Sequence, residues 1–290
     1  MDITDAITAT YERLGTARRT FRCCDTEFYV HAAGRGADAA ADRARRRTRS
    51  LASQLNAFDA ESAVARLNRE GTVENEHVAR LVRRGLAYHE RTDGAFDIRQ
   101  GSVEQRLKSY LRGESESLPE TFDAGKVSVD GATVAADSPV DLNGLAKGYI
   151  VDRVATELAG FGRAGFVSGG GDMSPPPGPV AIESPYDDDR RLKVLDTDWN
   201  VATSGGYRRT RDGTDHVYNP HTERLGAHHE SVTVVAERDC LEADALATTL
   251  AALPLAEVLD RIDDWPGAEA LVVHDGVFHT STGFEAHVHD

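Results

Sequence analysis

The chain has 290 residues, 40% of them apolar, so it is long enough to bury a sizeable core and too apolar for wholesale disorder. Its formal net charge of -15 excludes a general nucleic-acid binder, because phosphate backbones need basic surface. Three cysteines without a CxxC pair exclude a disulfide framework and a structural zinc site, and no apolar run approaches the ~20 residues that span a bilayer.

The first residues, Met1-Asp2-Ile3-Thr4-Asp5, lack the basic and apolar regions of an export signal, so a cytoplasmic location without membrane insertion is expected. Only four residues are lysine, and the acidic, arginine-based composition suits a salty cytoplasm as well as an ordinary acidic protein. Residues 5–14 read as a short helix, and residues 20–33 as extended chain rich in Phe21, Phe28, Tyr29 and Val30. Helical period covers 37–56, 61–68 and 73–92, the last with Val78, Leu81, Val82 and Leu86 on one face. Residues 105–122 are polar, contain Gly113 and Pro119, and read as a variable loop. Residues 127–140 read as paired strands turning at Asp130-Gly131. A glycine-containing loop over 141–148 and a helix over 149–158 follow.

Short strands are expected at 166–168, 180–183, 200–203 and 231–236, and helices at 242–253 and 257–263. Four prolines between 175 and 179 make a stiff connection, and residues 270–280 close the chain as a hairpin around Asp275-Gly276. Helices and strands mix without βαβ alternation, which predicts the α+β class in a single domain over 1–290.

Several segments carry groups with chemistry. On a helix, Asp244 and Thr248 are four apart and share a face, a hard oxygen pair suited to Mg²⁺ or Ca²⁺; an ordinary helix start with Asp244 near its positive end is the alternative. The stretch Asp141-Leu142-Asn143-Gly144-Leu145-Ala146-Lys147-Gly148 can offer backbone N–H groups and the Lys147 charge to a phosphate, or be a plain strand-to-helix turn. Gly169, Gly170 and Gly171 follow a strand and allow close approach of a ligand, without the spacing of a dinucleotide or phosphate loop. Ser204 and Gly205 end another strand and either bind a ligand or form a turn. His216 lies beside a turn and reads as a general base or as a structural histidine. Phe96, between Asp93 and Asp97, packs on a flat ring or in the core. The clusters His228-His229-Glu230 and His287-Val288-His289-Asp290 are metal-ligating by composition but read better as polar loop and chain end.

Together these segments resemble the ApbE family of FAD:protein FMN transferases, from about residue 21 to 284. The matching motifs stand in family order: Phe58-Asp59-Ala60-Glu61-Ser62 with Arg66-Leu67-Asn68, Thr92-Asp93-Gly94-Ala95-Phe96-Asp97, the 141–152 stretch, Gly169-Gly170-Gly171-Asp172, Ala202-Thr203-Ser204-Gly205, residues 216–220, and Ala243-Asp244-Ala245-Leu246-Ala247-Thr248. The resemblance implies a two-lobed α+β domain with FAD in a central cleft. It implies that Asp244, Thr248 and the Ala146 carbonyl hold the cation, that Asn143, Lys147, Tyr149, Gly169 to Gly171, Ala95, Phe96 and Asp97 belong to the flavin site, and that His216 serves transfer. The positions of Ser204 and Gly205 go with the cofactor as well.

Departures accompany the match. Where the family often has Met-Gly-Thr, with Met packed on the cofactor, this chain has Cys24-Asp25-Thr26, so Cys24 takes that place. Gly206 stands for the usual Asp, His221 for an Arg, and Ile98-Arg99 for Pro-Thr. The implied reaction is attack of a Thr or Ser hydroxyl of a target flavoprotein on the FMN-side phosphorus of FAD, with AMP leaving and Mg²⁺ or Ca²⁺ assisting. Hydrolysis of FAD to FMN and AMP, and non-catalytic FAD carriage, are the competing expectations.

Overall fold

A computed structural model describes residues 15–118, 124–160, 164–187, 190–205, 211–212, 215 and 217–289; the helix expected at 5–14 and His216 lie outside them. The chain enters through a hairpin, β1 (Thr16–Cys23) and β2 (Thr26–Ala33), whose two connecting residues, Cys24 and Asp25, both have positive φ (53° and 57°). That is the two-residue turn whose twist matches a β-ribbon, so the extended stretch is folded back on itself rather than continuous. Phe28, Val30 and Ala32 alternate into the core and are fully buried.

Helix α1 (Ala37–Leu55) presents its alanine stripe, Ala37, Ala40, Ala41 and Ala44, to the core. Helix α2 (Ala63–Glu70) is capped by Ser62 and ends at Gly71, whose φ of 77° completes a left-handed C-terminus. Val73 is in strand β3 (Thr72–Glu74), so the helix expected from residue 73 begins later, as α3 (Glu76–Arg91), with Asn75 accepting from His77 N and Val78 N. The segment read as a variable loop contains helix α4 (Gly101–Leu111), which follows a 3-10 turn over Ile98–Gln100. Its polar sequence hides a narrow apolar stripe, Val103, Leu107 and Tyr110, at helical spacing. Strands β4 (Val127–Asp130) and β5 (Thr133–Ala136) pair around Gly131 as expected and join β3 in a small sheet.

The largest correction concerns 141–148. Helix α5 runs from Asn143–Gly160, so Gly144 and Gly148 are helical and the expected loop is only its entry. The rest of the chain supplies β6 (Ala164–Gly169), β7 (Asp172–Met173), β8 (Val180–Glu183), β9 (Arg191–Leu195), β10 (Asn200–Ser204), β11 (Tyr218–Asn219), β12 (Arg224–Leu225) and β13 (Ser231–Ala236). It closes with α6 (Cys240–Ala251), α7 (Leu255–Asp263), β14 (Ala268–His274), β15 (Val277–Thr280) and a 3-10 turn over Phe284–His287.

The main sheet has the order β1-β2-β6-β7-β10-β13-β14-β15, every neighbouring pair antiparallel. The α+β class is therefore correct. Strand β13 shows why the sheet is central: Val232, Val234 and Ala236 face the helical core, while Val235 faces a second apolar cluster with Ile182, Leu195, Val201, Leu271 and Phe284. A strand covered on both faces is buried along its whole length, as Ser231–Ala236 is, with only the small hydroxyl residues Ser231 and Thr233 among its apolar side chains. Among the described residues no helix is long and apolar enough to cross a membrane.

Candidate active site

The site begins where α5 crosses α6. A Cβ at Gly148 would lie 2.5 Å from the Cys240 carbonyl oxygen and 2.7 Å from Leu241 Cα, so only glycine lets the two helices approach this closely. The start of α6 is fixed from several sides. Asp239 caps it by accepting from Glu242 N at 2.8 Å, and Asp152 of α5 accepts from Cys240 N at 2.8 Å and Leu241 N at 3.0 Å. Arg84 of α3 grips Asp239 with two hydrogen bonds of 2.7 and 3.0 Å. Burial, reinforced by Asp239, pushes the Asp152 carboxyl up to about 7 against the pull of the two N–H groups.

One helical turn into α6 stands Asp244, 1% exposed. Its Oδ2 accepts from Gly148 N at 3.1 Å and its Oδ1 from Lys147 Nζ at 3.1 Å. The same ammonium donates to Asp172 Oδ2 at 2.6 Å. Burial penalises the Lys147 charge, but Asp172 and Asp244 outweigh it and hold the amine above the ordinary lysine range. Asp172 is also 1% exposed, and its Oδ1 is buried without a partner. Burial, with Asp244 next, raises its carboxyl well above the usual carboxylate range. Two carboxylates thus share one ammonium and leave an orphan oxygen, an arrangement with room in its charge balance for a further cation.

Thr248 lies one turn beyond Asp244 on the same face and is half-buried. A Cβ at Gly144 would lie 3.3 Å from Thr248 Cγ2 and 3.0 Å from Phe96 Cε2, so the threonine, the helix start and the phenylalanine meet. Ala146 sits between Gly144 and Lys147 on the same stretch of α5. The donor set is of the hard-oxygen kind that Mg²⁺ and Ca²⁺ prefer, and the unsatisfied Asp172 oxygen fits such an ion nearby.

The entry to α5 is held by a buried network. Asp141 Oδ1 accepts from Asn143 N at 2.7 Å and Oδ2 from Asn143 Nδ2 at 2.6 Å. Lys108 of α4 reaches both Asp141 at 2.8 Å and Glu104 at 3.0 Å. Asn68 clamps the backbone just before, accepting from Val140 N at 2.8 Å and donating to Val140 O at 3.0 Å.

The glycine loop closes the other side. Gly170 (φ 62°) and Gly171 (φ 100°) turn the chain between β6 and β7. A Cβ on Gly170 would lie 2.6 Å from Thr26 Oγ1, and one on Gly171 3.5 Å from Thr203 O, so the loop is wedged between the first hairpin and the end of β10. Gly169 is covered by the Phe28 ring. Ser204 and Gly205, both half-buried, continue from Thr203 at that edge. Cys24 at the hairpin tip is exposed; its thiol is raised chiefly by the Cys23 hydrogen bond, while the Lys147 charge pulls the other way.

The fold therefore brings together Cys24, Asn143, Ala146, Lys147, Gly169, Gly170, Gly171, Ser204, Gly205, Asp244 and Thr248. Ala95 and Phe96 are buried beside them; Phe96 is a core residue, edge-on to Tyr88 at 6.1 Å, and touches the site through Gly144. Asp97 is turned to Arg99, at 2.6 Å, and to His89, at 3.3 Å. Tyr149 is two residues from Lys147, about 200° around the helix, and its hydroxyl meets His77 Nδ1 at 2.6 Å instead. His229 bonds the Leu253 carbonyl at 2.9 Å and His287 bonds Thr197 at 2.9 Å, both structural contacts. Asp141 and Asp172 stand inside the motifs read from the sequence but without a role of their own there, and Lys108 was not singled out. The only available signals were an acid directly after three glycines and a lysine in a chain with four.

The model of the ApbE family matches residues 23–272. The FAD:protein FMN transferase of Vibrio cholerae is 28% identical over 228 residues, covering 68% of this chain and 68% of that protein. The crystal structure of the ApbE protein from Thermotoga maritima has a TM-score of 0.83 at 24% identity, covering 95% of this chain and 100% of its own. The flavin transferase ApbE from Vibrio cholerae has a TM-score of 0.80 at 22% identity, covering 94% and 99%.

Proposed function

The chain belongs to the ApbE family, and on that premise we propose that it is an FAD:protein FMN transferase acting on a Thr or Ser hydroxyl of a target flavoprotein. The observation that carries the reading is the buried Asp172–Lys147–Asp244 cluster at the α5–α6 crossing, next to the glycine loop wedged between the first hairpin and the end of β10. Neutral packing would serve a purely structural crossing better, because two buried carboxylates on one ammonium cost stability.

Asp244, Thr248 and the Ala146 main-chain oxygen would hold a divalent cation, Mg²⁺ or Ca²⁺, which offsets charge on the pyrophosphate when bound. Lys147 stays protonated and faces the same charge. Gly169, Gly170, Gly171, Ser204 and Gly205 line the approach of the dinucleotide, with Asn143 at the helix start and Cys24 at the hairpin tip. Asp152 and Gly148 act indirectly, by fixing where α6 presents Asp244. In the reaction the acceptor oxygen bonds to the FMN-side phosphorus, the bond to the AMP oxygen breaks, and the hydroxyl proton passes to a base, for which His216 is the candidate.

Mass spectrometry of a candidate acceptor incubated with the chain, FAD and Mg²⁺ tests this. A gain of one FMN on a Thr or Ser, with one AMP released, is the expected result. Free FMN in place of the adduct identifies a pyrophosphatase, and FAD that stays intact with a competent acceptor identifies a carrier; either result overturns the proposal.

A further inference from the structure

Behind α5, on the side opposite Lys147, lies a cavity of about 580 Å³ between α3, the β4–β5 turn and α5. Its wall is dominated by Arg80, Arg83, Arg84 and Arg153, and its one carboxylate is Glu76. Such a concentration of arginine is unexpected in a chain of net charge -15. The four are not equally committed. Arg84 is neutralised by Asp239 at 2.7 Å. Arg83 donates to the Gly131 carbonyl and makes no ion pair among the described residues. Arg80 is exposed and makes no ion pair among the described residues. Arg153 Nε is buried with no hydrogen-bond partner. On the floor Tyr149, 4% exposed, is bonded to His77 Nδ1 at 2.6 Å.

We propose that this cavity is a second ligand site, distinct from the Asp172–Lys147–Asp244 cluster, that takes a small polyanion carrying two adjacent phosphate groups. A buried guanidinium N–H without an acceptor costs stability unless a ligand supplies one. Arginine forks match the planar pairs of oxygens on phosphate, and Arg80, Arg83 and Arg153 surround the space with charge that Glu76 alone does not balance. The volume falls in the range of small-molecule sites, which favours a compact ligand over an acidic peptide laid across the surface. The cavity shares none of Asp172, Lys147, Asp244, Thr248 or the glycine loop with the proposed FMN-transfer site, meeting that region only through Tyr149 and through Arg84, which braces Asp239, and the inference stands or falls independently of that activity.

Titration calorimetry of the full chain with inorganic pyrophosphate, in chelator and without divalent cations, tests the inference. One pyrophosphate per chain is expected, with saturating FAD leaving its affinity within twofold. Arg153→Ala and Arg80→Ala are each expected to weaken it at least tenfold, and Arg153→Lys, which keeps charge but loses the fork, severalfold. Arg80 is exposed, so Arg80→Ala decides the matter if Arg153→Ala fails to fold. Absence of binding at millimolar pyrophosphate, affinity unchanged in Arg80→Ala, or one-for-one displacement by FAD overturns the proposal. A polyglutamate peptide that binds more tightly and displaces pyrophosphate overturns it in favour of a protein-docking surface.

Discussion

Helix α5 separates two regions of opposite character. On the Lys147 side, two almost fully buried carboxyl groups converge on a single ammonium, so that full ionisation leaves one negative charge over. On the Tyr149 side, guanidinium groups gather around a cavity with one carboxylate, and the excess is positive. Both imbalances run against stability, since unpaired charge near a protein interior is costly. One helix with opposite excess on its two sides teaches that packing alone does not account for where its charges stand.

The comparison is broken most severely by removing its negative pole. Asp244→Ala is expected to lower FMN transfer by at least about a hundredfold, the size typical of a lost electrostatic contact in phosphoryl transfer; fluorescence of flavin on the acceptor after gel separation measures it, and unchanged labelling removes Asp244 from the mechanism. Lys147→Met attacks the same side by leaving Asp172 and Asp244 uncompensated. The expected cost is about 3–5 kcal/mol in urea unfolding, with millimolar Mg²⁺ recovering more stability than it adds to the wild type.

Gly148→Ala probes the crossing that holds the two sides apart. The new methyl meets the Cys240 carbonyl, and a loss of about 2 kcal/mol in chemical denaturation is expected despite alanine's better helix propensity. Asp152 gives the pH dependence of that crossing. Its folded-state carboxyl, near 7, lies above its unfolded value near 4, so its contribution to stability is complete below about pH 4 and is lost as pH rises through about 7. Asp152→Asn, which cannot ionise but can accept only one of the two N–H bonds, is therefore expected to lose the wild type's fall in stability between about pH 4 and 7, read from urea midpoints at each pH. The smallest effect sharpens the assignment of Tyr149. Tyr149→Phe removes the bond to His77 at a cost of about 1 kcal/mol. FAD affinity kept within twofold places the ring with the arginine side, whereas a tenfold loss returns it to the flavin site.

Much of this was legible along the chain. The hairpin at Asp275-Gly276 follows from turn chemistry, the one expected at Asp130-Gly131 turns one residue later, at Gly131-Ala132, and β13 follows from its valine-rich run. The pairing of Asp244 with Thr248 on one helix face needs only the helical period. Two misreadings have one cause. Gly144 and Gly148 look like loop residues because glycine disfavours helix locally, yet tertiary contact demands them: Gly148 touches Cys240, 92 positions away in the chain by its number, and Gly144 touches Thr248. Helix α4 was masked because its exposed face is polar and its apolar stripe is only three residues wide.

Turns, helical faces and the order of the family's motifs are short-range properties, and the amino-acid sequence alone determined them. The partners of Lys147 were decided by the tertiary structure: Asp172 lies 25 positions on and Asp244 97 positions on, brought together by the order of strands in the sheet and the depth of the α5–α6 crossing. The same holds for the arginines behind Tyr149. Local propensity acts over a few residues, whereas burial and unpaired charge are set by whichever distant groups the packed elements place within a hydrogen bond's length.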